Sequence, residues 1–228
     1  MLKADRITKK FGENTVLDDV SLSVVDGDFV SITGASGSGK STLLTILGGI
    51  DRPTVGDVYF DDAKISSMSE KELAILRRTK IGFVFQFFNL APHLTVQENI
   101  LLPIILSNKP QKPFIGKAVE LAEYLGIKDQ LSKMPDKLSG GEQQRVAIAR
   151  GMIFDPKIIL MDEPTGNLDS KTGREIMELL VDINAKNATT IVQVTHSEKN
   201  AAFGKRIIII KDGKIVEEKG KVDNEHTA

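Results

Sequence analysis

The chain is 228 residues long, enough for one large domain or one domain with a modest insertion. Hydrophobic residues at 41% and charged residues at 27% are ordinary for a globular fold, and 30 basic against 31 acidic side chains leave a net charge of −1, which excludes bulk electrostatic attraction to nucleic acid. There is no cysteine, so disulfides and cysteine-held metals are excluded as well.

The opening "MLKADRITKKFG" lacks the long apolar core of a secretory leader. No stretch approaches the roughly 18 apolar residues that a membrane-crossing helix needs, so a soluble chain that docks onto other components is expected. "LKADRIT" and "VLDDVSLSVV" read as strands, the second alternating apolar and polar, with "VDGD" turning into the buried run Phe29 to Thr33. The segment "GASGSGKSTLLTILGG" follows, and the spacing of Gly34, Gly39, Lys40 and Ser41 fits G-x-x-x-x-G-K-[ST]. A glycine-rich loop between a strand and an apolar helix over Thr42 to Leu47 can aim successive backbone N–H groups at one anion, with the helix N-terminus adding positive potential. Gly34, Ser36, Gly37, Ser38, Gly39, Lys40, Ser41 and Thr42 are therefore candidates for cradling a nucleotide phosphate chain, Lys40 for the β- and γ-phosphates and Ser41 for Mg²⁺.

Asp57 to Phe60 reads as a short strand before a turn at "DD", and Ser69-x-x-Glu72 is a capping box opening a helix through Arg78. "IGFVF" is a continuous apolar run and reads as a buried strand. From residue 95 to about 135 the strand signal nearly vanishes: Thr95-x-x-Glu98 is a second capping box, apolar residues dominate 100 to 106, and a helical pattern covers 114 to 125. This stretch reads as a helical insertion. "LSGGEQQRVAIAR" then supplies a third box, Ser139 to Glu142, whose paired glycines leave amides open to a second anion. Strands are expected again at "KIILM", "TTIVQVT" and "RIIIIK", with a helix over roughly 171 to 185 and a closing hairpin at "KDGK". "KVDNEHTA" reads as a frayed end. Apolar strands alternating with helices predict a mostly parallel sheet covered on both faces.

A phosphate loop needs an acidic partner for Mg²⁺ at the tip of a neighbouring strand. "IILMDEP" provides Asp162 for the metal shell and Glu163, next to it, to polarise a water toward the γ-phosphate.

With these residues in place, the chain resembles an ATP-binding-cassette (ABC) ATPase over nearly its whole length. The family signature is LSGGQ, and Glu142 stands here where Gln is commoner. The resemblance implies an α/β P-loop NTPase fold with a mostly parallel sheet, an antiparallel β subdomain near the N-terminus and an inserted helical subdomain. Residues 1–86 and 155–220 would form the core with its antiparallel part, and about 87–154 the helical subdomain. It also implies that Phe11 stacks on adenine, that Gln86 contacts Mg²⁺ or the attacking water, and that Asp169 in "NLDS" signals between subunits. His196 would be the switch histidine reaching the γ-phosphate; His93 and His226 match no family position. Ser139, Gly140, Gly141 and Glu142 would complete the ATP site of a second cassette, in a homodimer or a heterodimer.

The resemblance further implies a separate integral membrane permease, received near residues 87 to 106, with Phe87, Phe88, Leu90 and Pro92 as the expected exposed docking part. The cassette would then sit in the cytoplasm, peripheral on the inner face of the membrane, with ATP and Mg²⁺ as its ligands and no nucleic acid partner. "FVFQ", "NLAPHLTVQENI" and "DEPTGNLDSKTG" look most like the MacB/LolD type, which serves lipoprotein release, drug export and antimicrobial-peptide resistance. A cell-division regulator of the FtsE kind and a soluble cassette ATPase acting on DNA or ribosomes remain alternatives, with a nutrient-importer ATPase a weaker one.

Overall fold

The computed structural model describes residues 1–220; the expected frayed end and His226 lie outside the described residues. Strands β1 (Leu2–Phe11), β2 (Asn14–Val24), β4 (Val55–Phe60) and the two-residue β5 (Ala63–Lys64) form an antiparallel sheet in the order β2-β1-β4-β5. Strands β3 (Phe29–Thr33), β6 (Ile81–Val84), β7 (Ile158–Asp162), β8 (Thr190–Thr195), β9 (Arg206–Lys211) and β10 (Lys214–Lys219) form the second sheet, ordered β10-β9-β3-β8-β7-β6. Every pairing from β9 to β6 is parallel, and only the hairpin strand β10 runs antiparallel. This is the predicted α/β architecture.

Helices α1 (Lys40–Leu47), α2 (Glu70–Thr79), α3 (Val96–Ile105), α4 (Lys112–Tyr124), α5 (Gly140–Met152), α6 (Ser170–Asn187) and the single turn α7 (Glu198–Ala201) pack around the second sheet. Central β8 is buried at all six positions, as a parallel strand covered on both faces must be. Because successive side chains point to opposite faces, β7 divides its own residues: Ile158 and Leu160 enter one core, Ile159 and Met161 the other. The first core joins the antiparallel sheet and α1 to one face of the parallel sheet. The second joins α3, α4, α5 and α6 to the opposite face through Phe29, Val84, Ile159, Met161 and Ile191. The helical stretch therefore shares a core with the sheet rather than closing on itself.

Several boundaries differ from expectation. The first strand continues to Phe11, because a two-residue turn with Gly12 at φ 60° pairs Phe11 directly with Asn14. The first helix begins at Lys40 rather than Thr42. The strand read over "IGFVF" ends at Val84, where pairing with Met161 stops, so Phe85 and Gln86 belong to the following turn. Capping boxes form at Ser69, Thr95 and Ser139, each with reciprocal side-chain and backbone bonds.

Candidate active site

The parallel register brings the C-terminal ends of β3, β7 and β8 together at one edge, where crevices of open α/β sheets lie. Gly34 to Gly39 leave β3 at this edge and enter α1 without a side-chain cap: Gly39 occupies the N-cap at φ 100°, a conformation natural only to glycine. Leading amides of α1 are thus left to an external acceptor. The Lys40 ammonium is buried at 7% exposure and donates to the Gly34 and Ala35 carbonyls at 3.0 and 2.8 Å, spanning its own loop. Among the described residues Ser38 Oγ is buried without a partner. An uncapped helix start, a caged ammonium and an orphaned hydroxyl all fit an anionic, oxygen-rich ligand.

Ser41 Oγ donates to Asp162 Oδ1 at 2.9 Å, so α1 and β7 place two hard oxygen donors side by side. Burial pushes the Asp162 carboxyl above its ordinary value, opposed by the Ser41 hydrogen bond and by Lys40 and reinforced by adjacent Glu163. A cation in front of Asp162 would relieve that desolvation. Among the described residues no cluster of three or more His, Cys, Asp or Glu groups exists, so Mg²⁺ would draw its other oxygens from phosphate and water, as it commonly does.

Glu163 adopts φ 48°, a left-handed conformation that is costly for a residue with a Cβ, held by its own N–H donating to Val194 O at 2.9 Å. Its Oε1 accepts from the His196 backbone N–H at 2.8 Å and lies 2.8 Å from His196 Nδ1. Both contacts fall on the same oxygen. His196, just past β8, keeps an exposed ring and is paired with the carboxylate in this structure.

Gln86 pairs with Asn167: Gln86 Nε2 donates to Asn167 Oδ1 at 3.3 Å, and Asn167 Nδ2 donates to Gln86 O at 2.8 Å. Beyond it, Phe88 and Asn89 are successive left-handed residues at φ 57° and 50°. Arg150 of α5 donates to both their carbonyls, at 2.7 and 2.5 Å. Farther along, buried Asn99 bonds Ala91, Leu94 and Thr95 backbone groups, so two side chains of the helical region hold this loop in shape. Of the four expected docking residues, Phe87 and Pro92 are exposed. Phe88 and Leu90 correct the expectation: both are half-buried against the second core, because the strained loop turns their side chains inward.

The segment Ser139–Glu142 makes no hydrogen bond to Gly34–Thr42 among the described residues. Ser139 Oγ accepts from Glu142 N at 3.3 Å and donates to Glu142 Oε2 at 2.7 Å, so Glu142 serves the cap. Gly140 lies beside Leu168 and Phe88. A Cβ on Gly141 would sit 2.6 Å from Thr172 Cγ2, so the start of α5 touches the first turn of α6 only because that position is bare. Asp169 caps α6, accepting from Lys171 N and Thr172 N at 3.0 and 3.1 Å, and the Thr172 side chain, followed by these backbone bonds, holds its carboxyl below the ordinary range. Ser139→Ala is expected to lower stability without nucleotide by about 1 kcal/mol through loss of the cap, read as a lower urea midpoint. Phe11 is 53% exposed at the end of β1, with Lys9 Nζ 4.8 Å from its ring centroid, so it presents a free aromatic face rather than joining the core.

The structure thus groups Lys40, Ser41 and Asp162; Glu163 with His196; and Gln86 with Asn167, while Ser139–Glu142 and Phe11 stand apart. Asn167, Arg150 and Asn99 carry no motif pointing to these contacts. The nearest signal was the loop "NLDS", which includes Asn167 without giving it a role.

The family model described as ABC transporter matches residues 17–166. The lipoprotein-releasing system ATP-binding protein LolD of Aquifex aeolicus is 47% identical over 218 residues, covering 96% of this chain and 97% of that relative. The macrolide export ATP-binding/permease protein MacB of Burkholderia pseudomallei is 46% identical over 220 residues, covering 95% of this chain and 34% of MacB. The solved dimeric structure of MJ0796, a bacterial ABC transporter cassette, superposes with TM-score 0.88 at 46% identity, covering 96% of this chain and 98% of that one. A post-hydrolysis dimer of the same cassette bound to ADP and Pi gives TM-score 0.85 at 45% identity, covering 96% and 98%. On this sequence match, whose span 17–166 includes the phosphate loop, the Ser139 helix start and the Asp162–Glu163 strand tip, the chain belongs to the ABC transporter family and is an ATP-binding-cassette ATPase.

Proposed function

We propose that this cassette works as one of a pair beneath a separate integral membrane permease, spending ATP to extract or export a lipoprotein, peptide or drug. The observation that carries the reading is the separation of Ser139–Glu142 from the protomer's own Gly34–Thr42 loop: each half is incomplete, and a second cassette would complete it. The dimeric MJ0796 structures support the pairing, and likeness to LolD and MacB supports the cargo class. No helix of the described residues is long and apolar enough to cross a membrane. Likeness to LolD supports a position at the inner membrane face, reached through a permease.

In this reading, α1 amides and Lys40 hold the triphosphate, while Ser41 and Asp162 hold Mg²⁺. Mg²⁺ held there would supply positive charge to neutralise the phosphate oxygens. Glu163, with Oε1 pinned by His196, offers its second oxygen to accept a proton from the attacking water. Closure follows nucleotide binding because ATP is contacted by both cassettes only when they are together.

For the docking surface we propose, in place of the expected Phe87, Phe88, Leu90 and Pro92, a cleft of about 480 Å³ between α2, β6, α3 and α5. Phe83, Phe85, Leu102 and Leu106 make it apolar, and Arg77 and Arg78 make it basic. Such a lining suits an amphipathic cytosolic helix of the permease carrying acidic residues. Leu106, 66% exposed on the rim, allows a test: Leu106→Arg should leave basal ATPase intact but abolish co-purification with the permease from detergent-solubilised membranes. Recovery of the unmodified protein with ribosomes or DNA in place of a membrane subunit would overturn the transporter reading.

A further inference from the structure

We propose that Asn167 is a positioning residue that fixes the rotation of the Gln86 carboxamide, so that Oε1, the only atom of that group able to meet a cation, is its free end. The proposal rests on reading Gln86 as a contact for Mg²⁺ or the water beside it.

The assignment follows from hydrogen-bonding capacity. A main-chain carbonyl can only accept, so the 2.8 Å contact at Gln86 O must be made by the NH₂ of Asn167. Asn167 Oδ1 then faces Gln86 and can itself only accept, which requires Gln86 to turn its own NH₂ toward it. Both amide orientations are thereby determined by one backbone carbonyl. Without this constraint the terminal torsion of a glutamine is broad and roughly two-fold, so the NH₂ would face the site about as often as the oxygen. An NH₂ group repels a cation.

Asn167 is a firm support. It lies in the turn that begins at Glu163, closed by Gly166 N donating to Glu163 O at 3.0 Å and Leu168 N donating to Thr165 O at 3.1 Å. Two residues on, Asp169 anchors that turn to α6. The Gln86 side chain lies against bare Gly166, where a Cβ would sit 2.8 Å from Nε2. One short turn therefore carries the proposed base, Glu163, and orients the amide of Gln86, which lies 81 residues away in sequence from Asn167.

The test is Mn²⁺ binding to the full chain saturated with a nonhydrolysable ATP analogue, followed by electron paramagnetic resonance. Asn167→Ala should weaken Mn²⁺ binding about 3- to 10-fold, the scale of one lost hydrogen bond, with metal-free nucleotide affinity unchanged and the melting temperature lowered by no more than about 4 °C. Gln86→Ala should weaken it at least as much, and adding Asn167→Ala to Gln86→Ala should cost nothing more. Asn167→Leu, nearly isosteric, should reproduce Asn167→Ala. Wild-type Mn²⁺ binding in Asn167→Ala alongside a weakened Gln86→Ala would overturn the proposal, as would losses that add in the double variant, or a loss of metal-free nucleotide affinity. If Gln86→Ala itself binds Mn²⁺ normally, the reading of Gln86 fails, and the proposal with it.

Discussion

Glu163→Gln is expected to reduce ATP turnover by about 10²- to 10⁴-fold, the usual contribution of a positioned general base, while ATP still binds. The substitution is isosteric, and a glutamine Oε1 can still accept from the His196 backbone N–H that now bonds the carboxylate at 2.8 Å. What disappears is the capacity to take a proton from water. Nothing in the Lys40, Ser41 and Asp162 group is altered, so nucleotide affinity should stay within about 2- to 3-fold of wild type, and ATP should trap the closed pair of cassettes. Phosphate release under single-turnover conditions checks the first expectation, and size-exclusion chromatography in ATP and Mg²⁺ checks the second. Turnover within ten-fold of wild type would remove Glu163 from the role of base.

Arg206→Ala is expected to destabilise the fold by about 3–5 kcal/mol, the typical cost of breaking a buried ion pair from one side. Arg206 is 1% exposed. Its guanidinium donates to Asp28 Oδ2 at 2.6 Å, to Ser23 O at 3.0 Å and through Nε to Glu218 Oε1 at 3.0 Å. It thus ties the end of β2, the approach to β3 and the hairpin strand β10 at one point. Removing it leaves the carboxylate of Asp28 facing protein instead of water. Combining Arg206→Met with Asp28→Asn and Glu218→Gln should recover much of the loss, because the penalty comes from stranded charge more than from the lost pair. Urea denaturation of the three forms measures this. A single variant within about 1 kcal/mol of wild type would show the cluster to be energetically idle.

What was legible in the sequence follows from local chemistry. Phe29 to Thr33 and "KIILM" (157–161) read as strands because a short, mostly apolar run suits a strand covered on both faces, and Ser69, Thr95 and Ser139 read as helix starts because a capping box is complete within four residues. The grouping of Lys40, Ser41 and Asp162 was anticipated because strand tips in a parallel sheet must converge. Non-local contacts were not legible. The run "IGFVF" does not reveal that pairing stops at Val84, since the partner strand decides where a ladder ends. Residues 87–92 looked like an apolar surface, yet Arg150, some sixty residues later, decides which of them turn inward. Arg206 at the head of "RIIIIK" looks like a charged, solvated strand end, and only folding brings Asp28 and Glu218 to it. Four-residue α7 is too short to show a period at all.

The bare contact between Gly141 and Thr172 has a mechanical consequence. Two helices that meet at their beginnings, with no side chain as a spacer, cannot slide or hinge independently, so Ser139 at the head of α5 and Asp169 at the head of α6 are held as one piece. The bend after Val84 is tied down as well, since its two left-handed residues hang from a single guanidinium.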